Sequence, residues 1–218
     1  GQGAELRHKD GDRGRFLLDA YTTDRLLVLG ANGRIYTVAV ASLPGGRGMG
    51  EPLRLMIDLD APVAALRVHR PGGRLLVASD AGDGFVLAED EALAQTRAGR
   101  VVLNLPEGAR AAHLVPAEGD HVATIGRNRK MLVFPLAELP AMGRGKGVRL
   151  QAFKDGGLSD VTVLSLAEGL AWALEGGKLR REPDLTEWLG KRGQAGRMAP
   201  RGFPRDNRFA PLPKGAEG

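Results

Sequence analysis

The chain has no cysteine and few aromatic residues. None of its 218 residues is Cys, and Phe, Trp and Tyr together make up 5%. The lack of cysteine excludes disulfide bridges and cysteine-ligated zinc, and it is compatible with a reducing cytoplasm. No apolar run approaches the ~20 residues that a membrane-spanning helix needs. Residues 1–5 include neither an initiator Met nor the apolar core of a signal peptide, so we expect a fragment of a longer, cytoplasmic protein.

Sequence patterns of catalysis are missing as well. The phosphate-binding pattern Gly-x-x-x-x-Gly-Lys-Ser/Thr does not occur, and the four histidines have no metal-ligand spacing. Tyr21 and Tyr36 lie in apolar strand contexts, where packing is a better explanation than nucleophilic catalysis. The acidic residues 89–91 suit a solvated edge better than a Mg²⁺ site. We therefore expect no catalytic residue, metal site or cofactor site in this chain.

What the sequence does contain is a repeat of about 48 residues. The repeated segments are residues 26–38, 75–87, 121–134 and 170–180, and each reads as strand, tight turn and strand. The predicted turns are Asn32-Gly33, Asp83-Gly84 and Gly176-Gly177, with Asn128-Arg129 as the exception. Asn-Gly and Asp-Gly tolerate the positive φ angles of a two-residue type I′ hairpin turn. The pattern therefore predicts four β-hairpins at regular intervals.

A regular array of hairpins favours an all-β, propeller-like ring, because a lone hairpin is marginal in water and stacking buries the shared apolar faces. Further strands are expected at residues 53–59, 101–105 and 148–153, and residues 15–21 fit the last strand of a preceding blade. This predicts about five four-stranded blades, with room for one incomplete blade, in one domain over residues 1–198. The alternative is four unrelated hairpins in a β-sandwich.

The positive charge is concentrated near the C-terminus. The chain has 31 Lys/Arg and 26 Asp/Glu, a net charge of +5. Residues 176–218 hold 10 of the basic and 5 of the acidic residues, so the entire excess lies there. The last part, residues 199–218, is rich in proline and poor in apolar residues. We expect a basic tail there that is extended over the surface or disordered.

A glycine- and arginine-containing loop follows each hairpin. The loops are loop 1 (residues 44–50), loop 2 (95–100), loop 3 (142–149) and loop 4 (190–197), and they recur with the period of the hairpins. Glycine lets backbone N–H groups approach an anion, and arginine offers a fork of donors to phosphate oxygens. The predicted phosphate contacts are Arg47, Arg97, Arg100, Arg144, Lys146, Arg149, Lys191, Arg192 and Arg197. The alternative for any single loop is a turn glycine beside a solvated arginine.

These features together resemble the C-terminal domain of the A subunits of bacterial type IIA topoisomerases. Residues 22–36 are similar to the family's repeat core, a strand that ends in Gly-Arg-x-Tyr. Residues 43–48 and 137–147 are similar to the proline and basic glycine-rich loop that follow it. The resemblance covers residues 11–209.

The resemblance implies a β-pinwheel, a propeller-like ring whose neighbouring blades exchange strands. It also implies a noncatalytic domain that binds and bends double-stranded DNA, so that duplex segments are positioned for ATP-dependent strand passage. ATP, Mg²⁺, the catalytic N-terminal region and the ATPase subunit would belong to the holoenzyme, which acts in the nucleoid and has possible regulatory protein partners. The box Gln-(Arg/Lys)-Arg-Gly-Gly-(Arg/Lys)-Gly of gyrase is not matched in full. The degenerate loops and residues 150–160 are more similar to topoisomerase IV.

Two rival functions belong to other classes. A protein-interaction propeller would use its loops for an acidic partner, but it needs no recurrent Gly-Arg loops. A disordered Arg-Gly RNA binder conflicts with the strand-forming runs on either side of each loop. Trp172 and Trp188 are expected to anchor the core rather than to stack on bases. Among the loops, loop 4 is expected to dominate binding because the surplus charge lies there.

Overall fold

The computed structural model of the chain describes residues 3–9, 15–43, 50–174 and 176–209. Apart from short helical turns, these residues form antiparallel β-sheets. The strands are β1 Gly3–Lys9, β2 Arg15–Tyr21, β3 Arg25–Gly30, β4 Arg34–Ala39, β5 Val63–Val68, β6 Arg74–Ser79, β7 Asp83–Ala88, β8 Arg100–Val101, β9 Ala111–Pro116, β10 His121–Gly126, β11 Lys130–Pro135, β12 Val148–Arg149, β13 Leu158–Leu164, β14 Leu170–Ala173, β15 Leu179–Glu182 and β16 Arg197–Met198. The all-β prediction is confirmed.

The strands form five sheets within the described residues. Three have four strands, in the orders β5-β3-β4-β8, β9-β6-β7-β12 and β13-β10-β11-β16. The other two are the pairs β1-β2 and β14-β15, so two sheets rather than one have fewer than four strands there. The last strand of each complete sheet comes from the loop after the next hairpin along the chain. This is the strand exchange expected of a pinwheel.

The edges of the complete sheets differ in their surroundings. At one edge, β5 contacts β2 and β9, and β9 contacts β13, so these strands lie side by side around the centre. The opposite edges are the exchanged strands β8, β12 and β16. The exchanged strands therefore lie on the outer rim.

The hairpin turns are longer than expected. The last paired residues are Leu29 with Ile35, Ala78 with Gly84, and Ile125 with Met131. Each turn therefore has three central residues or more, and each includes a left-handed residue: Gly33 (φ +86°), Gly82 (φ +95°) and Arg129 (φ +64°). The two-residue turn predicted at Asp83-Gly84 is wrong, because a longer turn with a left-handed residue at Gly82 closes the hairpin earlier.

Both faces of the central hairpin strands are buried. Leu26 and Val28 pack in one cluster with Ala20 of β2, whereas Leu27 and Leu29 pack toward the sheet that contains Phe85. Burial on both faces explains why these strands read as continuous apolar runs rather than as alternating patterns. In the described residues, four apolar clusters lie between successive sheets, and each holds one repeat against the next by side-chain packing.

The large aromatic side chains follow the same plan. Trp172 is 0% exposed and Trp188 is 7% exposed, so both are core anchors as expected. Tyr36 is also fully buried, whereas Tyr21 at the end of β2 is 58% exposed.

One segment that was expected to be a strand is helical. Residues 53–59 contribute to α1, Gly50–Met56, instead of a blade strand. Leu53 and Ile57 lie four residues apart and are both buried, which is the spacing of one helix face. Pro52 suits the first turn of a helix, where its missing N–H has no intrahelical partner to lose.

A second short helix, α2, spans Glu89–Ala92. In the part of the chain that the structure describes, no helix is both long enough and apolar enough to cross a membrane.

Both ends of the described chain pack on the sheets. Strand β2, expected as the last strand of a preceding blade, pairs with β1, which was not expected. Of the predicted tail, residues 199–209 are described, and we name this segment the strap. Phe203 of the strap is 2% exposed and contacts Trp172 edge to face at 5.4 Å. The division of the chain at residue 198 stays a prediction.

Strand exchange depends on a glycine before the exchanged strand β12. Gly147 has φ +82°, and a Cβ there would lie 2.4 Å from the Gly84 carbonyl oxygen. Gly72 has a similar φ of +74° but has open space around it.

We expect Gly72→Ala to lower the free energy of unfolding by about 1 kcal/mol, from the left-handed backbone alone. Gly147→Ala should lower it by about 3 kcal/mol or more, because the carbonyl must also move. Urea unfolding measures both values, and equal losses would contradict this account of strand exchange.

Candidate nucleic-acid interface

Loops 3 and 4 lie at equivalent seams between consecutive repeats. In loop 3, Gly145 N–H donates to Val102 O at 3.0 Å, just beyond the exchanged strand β8. In loop 4, Gly193 N–H donates in the same way to Leu150 O at 2.8 Å, just beyond β12. The expectation that the loops fall at equivalent places is confirmed for these two. Loop 2 is held by a related bond, from Asp58 N–H to Arg97 O at 2.8 Å.

One arginine of each described loop reaches back across its seam. Arg97 Nε lies 3.5 Å from Asp58 Oδ1. Arg144 Nε donates to Asn104 Oδ1 at 3.4 Å. Arg192 Nη1 donates to Arg149 O at 2.8 Å. The sequence spacing of these arginines therefore corresponds to a repeated contact in the structure.

A second set of predicted residues lies on the outer rim. Arg100, Arg149 and Arg197 belong to the exchanged strands β8, β12 and β16, and all three are exposed. Because these strands form the edges opposite the centre, the structure places one arginine at the rim of each of three successive sheets. Arg47 of loop 1 lies outside the described residues.

Arg192 is held more tightly than the other predicted residues. Its side chain is half-buried, and its backbone N–H donates to Glu138 Oε1 at 2.8 Å. Its Nε is buried without a hydrogen-bond partner among the described residues. The bond from Arg192 to Arg149 O thus makes Arg192 a tie between the exchanged strand β12 and loop 4. Any phosphate contact by Arg192 stays a prediction.

The positive charges of the loops differ in how many of them are paired with a carboxylate. Arg97 faces Asp58, and Lys146 Nζ lies 3.9 Å from Asp83 Oδ2. Lys191 and Arg197 of loop 4 are exposed and, within the described ranges, have no carboxylate within 4 Å. Arg144 and Arg149 of loop 3 likewise have no such partner, but among loops 2, 3 and 4 only loop 4 has no ion pair at all in the described ranges, which agrees with the position of the charge excess in the sequence.

Lys154, which lies outside the Gly-Arg loops, lines a recess together with Arg149 of loop 3. Lys154 and Arg149 line a cavity of about 230 Å³, together with Asp155 and the glycines at 156 and 157. A recess with two cations and one carboxylate favours an anion. Sequence reasoning missed Lys154 because it follows loop 3 rather than lying in it. The sequence of residues 149–154 carries a charge only at its two ends, so it gave no signal that Lys154 and Arg149 line one recess.

The second cavity lies between the strands around the centre and has a different character. It has a volume of about 350 Å³ and is lined by residues of β5, β9 and β13, the turn residues Asp80 and Arg127, and the strap residues Asp206 and Arg208. His113 Nδ1 lies 3.6 Å from Asp160 Oδ1 there. Its mixed charges do not favour a polyanion. Within the described ranges, no group of three or more His, Cys, Asp or Glu side chains is arranged to hold a metal ion.

Asp160 is a buried carboxylate that accepts a hydrogen bond from Phe209 of the strap. Burial raises the pKa of Asp160 to about 6, although it accepts N–H groups from Val161 and Phe209, and Arg208 opposes the shift. A raised carboxyl pKa means that folding favours the protonated form. The resulting penalty is absent below the unfolded pKa of about 4, grows as the pH rises to 6, and is complete above it.

Replacing Asp160 by Asn removes this penalty. The single amide oxygen can accept from Phe209 N–H or from Val161 N–H but not from both, and the loss of one hydrogen bond does not depend on pH. We expect the free energy of unfolding of D160N, relative to the unchanged chain, to be more favourable at pH 7.5 than at pH 4 by up to about 3 kcal/mol. Urea unfolding of both proteins at the two pH values measures it. Asp80, Asp206, Arg127 and Arg208 face the same cavity and are present in both proteins, so they largely cancel in the comparison. His113 does not cancel, because it lies 3.6 Å from the carboxylate that the substitution removes. A difference independent of pH would contradict this assignment.

Known proteins share this architecture. The family described as "DNA gyrase C-terminal domain, beta-propeller" matches residues 73–118 and 120–160. Those ranges contain the second and third hairpins and the whole of loops 2 and 3. Among solved structures, the E. coli ParC C-terminal domain is similar, with a TM-score of 0.71 and 28% identity, over 89% of this chain and 84% of that one.

Longer relatives match almost the whole chain. The A subunit of DNA topoisomerase 4 from Caulobacter vibrioides is 44% identical over 211 residues, which is 95% of this chain. The Rickettsia bellii protein of the same name is 39% identical over 208 residues, also 95% of this chain. The chain spans 28% of the length of each of these relatives.

Proposed function

This chain belongs to the family of C-terminal β-propeller domains of the gyrase and topoisomerase IV A subunits. From that premise we infer that it is a noncatalytic module that binds and bends double-stranded DNA within topoisomerase IV. Relatives that carry the name of this subunit match 95% of the chain. In this proposal the parent protein catalyses the topoisomerase reaction, whereas this domain binds the duplex.

The repeated arginine positions carry this proposal. Arg100, Arg149 and Arg197 recur on the exposed rim of three successive sheets, and a loop with a further arginine lies at each seam. Arginine forms paired hydrogen bonds with phosphate oxygens, and contacts to phosphates alone carry no sequence information. A phosphate backbone offers such a rim a regular series of anions. The module therefore binds duplex DNA with little sequence preference.

Bending follows from the placement of the contacts. The rim positions belong to sheets that succeed each other around a centre, so they do not lie on one straight line. A duplex that reaches several of them must curve, and the phosphate contacts offset the cost of deformation, as they do in DNA wrapped by arginines on histones.

Within the parent enzyme, a bent segment is presented for passage through another duplex. The proposed partners are DNA, the ATPase subunit, and the catalytic N-terminal region of the same polypeptide, with ATP and Mg²⁺ bound elsewhere in the holoenzyme. The proposed outcome is decatenation and relaxation of supercoils in the nucleoid, hence a role in chromosome segregation.

The topoisomerase IV assignment is preferred over a gyrase wrapping domain. The sequence has no full match to the gyrase box, and its loops retain only partial echoes, at residues 143–147 and 191–197. Without that box we expect modest bending rather than tight chiral wrapping.

Binding of the chain to a duplex of about 40 base pairs over a salt series tests the function. If about five phosphates are neutralised, the slope of log K against log[salt] should be about −4 to −5. Fluorescence anisotropy measures it, and an unrelated duplex of equal length should give the same slope. Absence of binding at low salt would contradict the proposal and favour a protein-interaction propeller.

The loops should contribute unequally. K191A/R197A removes two uncompensated cations, whereas R97A/R100A removes two cations of which Arg97 is paired with Asp58. Both variants lose the same formal charge, and Arg192 keeps its structural tie. We expect about a tenfold loss of affinity for K191A/R197A and about threefold for R97A/R100A at the same salt concentration. Thermal unfolding checks that both remain folded, and equal losses would contradict the ranking.

A further inference from the structure

The strap contains a tandem motif that lies outside the Gly-Arg loops. Residues 200–203 read Pro-Arg-Gly-Phe, and residues 204–207 read Pro-Arg-Asp-Asn. Each unit closes as a turn, with Phe203 N–H donating to Pro200 O at 3.0 Å and Asn207 N–H donating to Pro204 O at 3.1 Å. Two successive turns therefore present an arginine at the same turn position, four residues apart.

Side chains from the sheets and turns hold the backbone between these arginines by hydrogen bonds. Trp172 Nε1 donates to Gly202 O at 3.1 Å. Arg129 donates from Nη2 to Phe203 O and from Nη1 to Pro204 O, both at 3.0 Å. Three consecutive carbonyl groups thus accept bonds from the body of the protein. A segment held in this way keeps its outward side chains in place, unlike a disordered basic tail.

The two arginines are exposed and uncompensated. Arg201 and Arg205 are both exposed, and within the described ranges neither lies within 4 Å of a carboxylate. Asp206 is the one acidic residue of the strap, and Arg208 acts on Asp160 instead. The strap begins directly after β16, which carries Arg197 on the rim. Positive charge therefore continues from loop 4 onto the strap.

We propose that Arg201 and Arg205 bind two further phosphates of the duplex, so that the strap extends the DNA track beyond loop 4. The proposal rests on the proposed function, because it names where that DNA continues. A duplex is favoured as the occupant because both arginines are exposed, hold the second position of successive turns on a fixed backbone and have no carboxylate within 4 Å in the described ranges. That backbone is continuous with the rim position of Arg197.

The test compares R201A/R205A with the unchanged chain on the same duplex of about 40 base pairs. Loss of two phosphate contacts should reduce the magnitude of the salt slope by about 1.8. R201K/R205K keeps both charges and should retain most of the slope. R74A/R110A removes two exposed arginines that belong to neither the loops nor the strap and should change the slope little. Unchanged tryptophan fluorescence, to which Trp172 and Trp188 both contribute, shows that the strap is still docked, since Trp172 packs on Phe203.

The outcomes separate this proposal from the proposed function. If the unchanged chain binds and R201A/R205A has the same slope, the strap proposal is overturned while the DNA-binding function stands. An equal reduction in R74A/R110A also overturns it, because the effect would then reflect net charge alone. If the unchanged chain binds no DNA, the proposed function fails and the strap proposal fails with it.

Discussion

The structure depends on one hydrogen bond that recurs between successive repeats. The carbonyl of the left-handed turn residue accepts an N–H from the chain just beyond the next exchanged strand, as Gly82 O does from Leu150 and Arg129 O from Ala199, both at 2.8 Å. Gly33 O accepts from two such residues at 3.0 Å. These bonds fix the end of each exchanged strand on the preceding hairpin. The sheets, the seams and the arginines on the rim take their positions from that attachment.

The seam contacts also explain how an arginine can serve both fold and binding. A guanidinium has five N–H donors, and the contacts to Asn104 and Arg149 O each use one. The side chain of Arg144 is exposed, whereas that of Arg192 is half-buried. A positively charged side chain in a loop is therefore not always exposed enough to reach a phosphate. The residues with the most freedom to meet phosphate are those on the exchanged strands and, as proposed for Arg201 and Arg205, on the strap.

Much of the fold was predictable from the sequence, because hairpins that recur every 48 residues have few ways to bury their apolar faces. The turn at Asp83-Gly84 was misplaced because a dipeptide favours a turn without fixing its length. Residues 53–59 were misjudged because a short apolar run fits a strand or a buried helix equally well. For the tail, the sequence left open whether it is extended over the surface or disordered, since the anchors of the strap, Arg129 and Trp172, are distant in sequence. The candidate loops were predictable, but their pairing with Asp58 and Asp83 was not, because it depends on tertiary contacts.

The central claim is that contacts spread over successive sheets bend the duplex, and ring closure of linear DNA tests it most directly. A fragment of about 150 base pairs is one persistence length long and closes poorly by itself. The account predicts that the chain increases ligase-catalysed circle formation from such a fragment at salt concentrations where it binds. It also predicts that K191A/R197A increases circle formation less at equal occupancy. Binding without any gain in circle formation would contradict the account, because the rim would then hold straight DNA.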